Sequence, residues 1–221
     1  MRKLLAIWLG KILTIVGKTV GKKSSSSPGA YALKICPDLV KGLEKCVSKG
    51  IIVICGTNGK TTTNNLMASA LEAKGYKVIC NKLGANMLSG IATTVLQEMS
   101  IFGKLKADYA CLEIDEAYTP IVFDYVKPDV MVITNLFRDQ LDRYGEIDIT
   151  SDIIKRAIKK VPNLKLVLNG DDPLCVQFGR EENVKAYYYG ISEKVLPQLD
   201  DTKEGRFCPV CGEEQKYNYY H

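Results

Sequence analysis

From residue 51 onward the chain alternates short apolar, β-rich runs with stretches of helical length, and this alternation decides most of what it can fold into. IIVIC (51–55), KVICN (77–81), DYACLEI (108–114), VMVIT (130–134), LKLVL (164–168) and KAYYY (185–189) read as strands. TTTNNLMASALEAKG, GIATTVLQEMS, TPIVFDYVKP and DITSDIIKRAIKK lie between them and are long enough for helical crossovers. Strands joined by such crossovers lie parallel, and runs without polar alternation suit strands buried on both faces. The expected fold class is therefore α/β, a mostly parallel sheet with helices on both faces.

Open sheets of this kind bind ligands beyond the carboxyl ends of their strands. The polar motifs fall there: GTNGK after the first strand, EIDEA after the third, TNLFRDQ after the fourth and NGDDP after the fifth. In GTNGKTT, Gly56 and Gly59 allow backbone amides to turn toward an anion, and a helix starting near Lys60 adds its positive end. Lys60 is placed to neutralise phosphate, and Thr61 or Thr62 to set a hydroxyl on magnesium. The spacing departs from the common GxxxxGK[ST] loop, because Ile54 stands where the first glycine belongs.

Glu113, Asp115 and Glu116 leave a buried strand, and Glu113 is the expected magnesium ligand; the plainer alternative is a set of acidic helix caps. Asn135, Arg138, Asp139, Gln140, Asp142 and Arg143 crowd one loop, a density common at functional sites. NGDDP serves equally as a turn. CPVCG carries the Cys-x-x-Cys spacing of a zinc knuckle, with Cys208 and Cys211 holding one edge of a tetrahedral site; a redox-active or vacant pair is the alternative.

Bulk properties narrow the classes. Apolar content of 46% with 25% charged residues is that of a globular protein, and no apolar run reaches the about 18 residues of a membrane span. The net charge of +5 is scattered, so nucleic acid is not an expected partner. Cys36, Cys46, Cys55, Cys80, Cys111 and Cys175 stand singly, as reduced thiols of a cytosolic protein do. The single histidine is His221, so an internal histidine base is excluded. The N-terminal stretch MRKLLAIWLGKILTIVGKTVGKK reads as a helix, either packed on the domain or lying on an anionic membrane surface, and SSSSPG as a linker after it.

The four ordered motifs resemble the Mur ligase superfamily, the ATP-dependent amide-forming enzymes of peptidoglycan synthesis. GTNGKTTT with its shortened spacing, EIDEA, TNLFRDQLDRYGE and NGDDP are similar to its central ATPase domain. NKLGANMLSGIATT, Gln140 and CPVCG resemble one branch, the MurT-type ligase subunits of lipid II isoglutaminyl synthases. That resemblance implies ATP-driven amidation of the α-carboxylate of D-glutamate in the lipid II stem peptide. It also implies ammonia from a GatD-like glutaminase partner and a substrate at the cytoplasmic membrane face.

By the same resemblance, Gly56, Thr57, Asn58, Gly59, Lys60, Thr61 and Thr62 hold ATP, Thr61 and Glu113 ligate Mg²⁺, and Cys208 and Cys211 bind Zn²⁺ as the first half of a four-cysteine ribbon. The implied organisation is a helix and linker over 1–40, an incomplete central domain over 41–200 and a half ribbon over 201–221. A catalytic aspartate is expected beyond residue 221, which would leave this chain inactive alone. Gln140 stands where many relatives have histidine, which weakens the case for a second magnesium, and Lys155 aligns only loosely with a lysine carbamylated in some relatives. Another amino-acid-adding Mur-type ligase, and a nucleotide-holding membrane module without turnover, are the alternatives.

Overall fold

The computed structural model describes residues 1–19, 26–136, 146–181, 184–191, 208 and 211–214. The expected strands all form: β1 (Val47–Cys55), β2 (Val78–Cys80), β3 (Ala107–Glu113), β4 (Val130–Ile133), β5 (Lys165–Asn169) and β6 (Lys185–Tyr189). They make one sheet in the order β2-β3-β1-β4-β5-β6, and every pairing is parallel. Val53, Ile54 and Cys55 of β1 are all fully buried although successive strand residues face opposite sides, so both faces of the central strand are covered. The exposed tyrosines of β6 mark the opposite situation, an edge.

The expected crossovers are α3 (Lys60–Ala73), α4 (Leu88–Glu98), α5 (Thr119–Tyr125) and α6 (Glu146–Lys159), followed by the short α7 (Pro173–Val176). Each shows its local cause. Pro120 and Pro173 sit in the first turns of α5 and α7, where a missing N–H costs nothing. Arg156 and Lys159 stand in the last turn of α6, beside its negative end. Ile91, Ala92, Val95 and Leu96 form the buried stripe of α4.

Two helices precede the sheet, α1 (Arg2–Thr19) and α2 (Ser27–Ile35). The SSSSPG stretch is thus not a linker throughout, since Ser27, Pro28 and Gly29 form the first turn of α2. Gly29 explains why: its N–H donates to the Thr93 hydroxyl at 2.9 Å, and a Cβ there would overlap the Ser89 carbonyl of α4. Proline starts the helix and glycine lets it dock, so what reads as punctuation is a packing contact. Ala6, Ile7 and Gly10 are the buried side of α1, which packs on α2 and α4. Among the described residues no helix is long and apolar enough to cross a membrane.

Candidate functional site

β1 lies between β3 and β4, so the loop leaving its carboxyl end is flanked by Glu113 on one side and by Thr134 and Asn135 on the other. Gly56 has φ 127°, and a Cβ on it would overlap the Thr134 hydroxyl and stand 2.8 Å from the Asn135 carbonyl oxygen. Gly59, at φ 77°, caps α3, and a Cβ there would meet nothing within 4 Å. One glycine is required by crowding and the other by its left-handed turn toward open space.

Asn135 clamps the loop. Its carbonyl oxygen accepts from Thr57 N–H at 2.8 Å, and its side-chain oxygen accepts from Asn58 N–H at 2.9 Å. Its amide donates back to the Asn58 carbonyl at 3.2 Å, and the Thr134 hydroxyl donates to the same oxygen at 2.7 Å. Gly56 N–H is held by Glu116 Oε1 at 3.0 Å. The first three loop amides are therefore engaged. Those of Gly59, Lys60, Thr61 and Thr62 sit at the start of α3, where the helix offers no acceptor and its dipole favours an anion.

Lys60 reaches back over this loop. Its ammonium donates to the carbonyls of Gly56 at 2.5 Å and Thr57 at 3.2 Å, and pairs with Glu116 Oε1 at 3.0 Å. Glu116 thus bridges the loop's first amide and its lysine, a role that sequence did not distinguish from those of its acidic neighbours. Beneath it, burial and then the Glu116 charge push the Cys55 thiol up to about 12 from 9.0. Asp115 turns out to be the local cap: its carboxylate accepts from Ala117 N–H at 3.0 Å.

Glu113 is buried, and its Oε2 has no hydrogen-bond partner among the described residues. Gly84, at φ 68°, opens this corner: a Cβ on it would lie 3.5 Å from Thr61 Oγ1 and 3.8 and 3.9 Å from the two Glu113 carboxylate oxygens. The hydroxyl and carboxylate named from sequence are thus brought to one point. A buried carboxylate oxygen without a partner is costly, and a hard divalent cation satisfies it, so the donor set fits magnesium.

Asn81 holds Glu113 there. β2 ends at Cys80, and the Asn81 side chain continues its pairing: Nδ2 donates to the Glu113 carbonyl at 2.8 Å while Oδ1 accepts from Glu113 N–H at 2.9 Å. The same side chain donates to the Ala85 carbonyl at 3.0 Å and accepts from buried Asn64 at 3.1 Å. It acts as a substitute peptide group at a strand end. Sequence reasoning missed it, although asparagine directly after a strand was the available signal.

Other expectations resolve differently. Asp172 in NGDDP is a tether, accepting from Leu136 N–H at 2.8 Å and capping α7 through Leu174 N–H at 2.8 Å, so the turn reading holds. Arg138, Asp139, Gln140, Asp142, Arg143 and His221 lie outside the described residues. At CPVCG, Gly212 at φ 75° donates its N–H to the Cys208 carbonyl at 2.9 Å, and Cys208 N–H donates to the Glu213 carbonyl at 2.8 Å. Cys211 is exposed. Among the described residues no cluster of three or more His, Cys, Asp or Glu is placed to hold a metal ion, so Cys208 and Cys211 by themselves fall short of the four ligands of a tetrahedral site.

Comparison with known proteins matches residues 54–215 to the family described as Mur ligase middle domain. Lipid II isoglutaminyl synthase (glutamine-hydrolyzing) subunit MurT from Staphylococcus aureus (strain COL) is 38% identical over 221 residues, all of this chain and 49% of that protein. Its counterpart from Streptococcus pneumoniae is 39% identical over 197 residues, 89% of this chain and 43% of that one. The chain therefore spans about half the length of the curated relatives it matches. Among solved structures, a pseudomurein peptide ligase type C from Methanothermus fervidus superposes with a TM-score of 0.60 at 28% identity, over 78% of this chain and 33% of that one.

Proposed function

The chain belongs to the Mur ligase family through that family's middle domain, and from this premise we propose that it is the nucleotide-binding part of an ATP-dependent carbon–nitrogen ligase. Similarity to the synthase subunits along the whole chain supports one substrate: the α-carboxylate of D-glutamate in the lipid II stem peptide, amidated to D-isoglutamine. Ammonia then comes from a GatD-like glutaminase partner. The protein works in the cytoplasm, peripheral to the inner membrane face where a lipid-linked substrate lies.

The observation that carries the reading is the Glu113 oxygen that has no partner among the described residues, set beside Thr61 at the amino end of α3. In this reading the amides of Gly59 to Thr62 hold the triphosphate of ATP. Lys60 exchanges Glu116 for phosphate oxygens, while Glu116 keeps Gly56 N–H and so preserves the loop's shape. Thr61 and Glu113 hold magnesium, which when bound neutralises phosphate charge. Residues here orient the γ-phosphoryl group toward the substrate carboxylate, so positioning and charge supply most of the catalysis. The carboxylate takes the γ-phosphoryl group as ADP leaves, and ammonia then attacks the acyl phosphate, expelling phosphate and losing a proton to leave the amide. Cys208 and Cys211 hold two corners of a zinc site in a small ribbon, the other two ligands coming from outside the described residues.

Isothermal titration of ATP with Mg²⁺ tests this. Lys60→Ala abolishes binding if the loop is the nucleotide site, and undiminished affinity in that variant sinks the assignment. With the full-length protein, turnover that needs a glutaminase and glutamine supports the amidation, whereas ATP hydrolysis stimulated by a free amino acid points to an amino-acid-adding ligase.

A further inference from the structure

α1 buries one side against α2 and α4, and its other side is exposed. Leu5, Trp8, Ile12, Ile15 and Val16 follow helical spacing along a single stripe; Trp8 is 48% exposed, Ile12 56% and Ile15 63%. The stripe continues onto a neighbouring turn, because the Trp8 indole N–H donates to the Ile101 carbonyl at 2.9 Å and Phe102 is 73% exposed. Scattered apolar side chains on a surface need no explanation, but a contiguous stripe of this kind marks a contact.

Charge says what it contacts. Residues 1–37 contain no Asp or Glu, yet they include Arg2, Lys3, Lys11, Lys18, Lys22, Lys23 and Lys34. A second copy of the chain would bring the same cations against them, which disfavours self-association. An apolar strip with tryptophan, on a helix whose charged residues are all cations, complements an anionic bilayer surface: the strip enters the acyl boundary and the lysines meet headgroup phosphates. At 1.5 Å rise per residue, α1 presents a strip roughly 27 Å long.

We propose that the outer face of α1, with Ile101 and Phe102, docks this protein flat on a membrane carrying anionic headgroups. The inference does not depend on the ligase reading, and nucleotide binding and membrane binding are lost through different residues.

Flotation of the full chain with phosphatidylglycerol-containing vesicles tests it, with pure phosphatidylcholine vesicles as the control. Binding should require phosphatidylglycerol, weaken at high salt and shift the emission of Trp8, the only tryptophan, to the blue. The double variant Ile12→Glu/Ile15→Glu changes exposed positions only; it should retain its melting temperature and lose at least about tenfold in partitioning. Lys11→Glu should weaken binding to the anionic vesicles while leaving the apolar strip intact. The proposal fails if the chain does not float with anionic vesicles, or if the double variant floats undiminished. It fails equally if binding ignores phosphatidylglycerol and salt, or if the double variant only converts a dimer to a monomer.

Discussion

Asn81→Ala is the sharpest probe of how the site is held. The substitution deletes two donated bonds, to the carbonyls of Glu113 and Ala85, and two accepted ones, from Glu113 N–H and the Asn64 amide. Asn81 and Asn64 are both buried, so the stranded groups do not simply turn to solvent. At roughly 1 kcal/mol net per bond the gross loss is about 4 kcal/mol. Asn64 keeps a contact to Cys80 Sγ at 3.2 Å, and water entering the vacated space recovers part of the remainder. The expected net loss is about 3 kcal/mol, a large share of the roughly 5–15 kcal/mol that stabilises a domain. Urea denaturation reads it as a lower midpoint at unchanged slope. Nucleotide titration should show a second effect, a larger loss of affinity with Mg²⁺ than without it, because the Glu113 backbone is what Asn81 fixes. A stability loss below about 1 kcal/mol would refute the idea that this side chain extends β2.

Gly56→Ala should destabilise by about 2 kcal/mol or more and impair nucleotide binding, since the added methyl combines positive φ with overlap onto Thr134; thermal melts and ATP titration check both. Glu113→Gln should leave the apo protein as stable or more so, because it neutralises a buried carboxylate without a full set of partners, and should abolish the extra melting-temperature gain that Mg²⁺ adds to ATP. Burial pushes the Cys55 and Cys111 thiols up to about 12 from 9.0, so each favours the folded state below pH 9 and withdraws that support as pH rises toward 12. Unfolding measured across that window should show falling stability, and Cys55→Ala should flatten part of the slope. Alkylation of the native protein at neutral pH should modify exposed Cys211 while sparing Cys55, Cys111 and Cys175.

The strands and the four main crossovers were legible because each is a local signal: β-branched runs between turn residues, and helical spacing between strands. The loop, Lys60, Thr61 and Glu113 were legible because a strand end followed by glycine, lysine and threonine restricts the chemistry. What sequence could not supply depends on strand order. β1 lies between β3 and β4 only once the sheet is assembled, and that placement brings Asn135 onto Asn58 and Glu116 onto Lys60 across separations of 77 and 56 residues. Asn81 escaped for the same reason, since its partners Glu113 and Asn64 belong to other elements. Ser27 to Gly29 looked like a linker because composition alone cannot distinguish a flexible joint from a helix start pressed against α4.

The Asn135 clamp also has a thermodynamic meaning. Restricting a backbone residue to one conformation costs about 1–2 kcal/mol in entropy, so ordering the four residues Gly56 to Gly59 at the moment of binding would cost roughly 4–8 kcal/mol. Here that cost is met during folding, by bonds from Thr134 and Asn135 just after β4 and from Glu116 that exist before any ligand arrives. Association should therefore be a single fast step without a slow loop-ordering phase, and Asn135→Ala should add an entropic penalty to binding while leaving every phosphate-facing group in place.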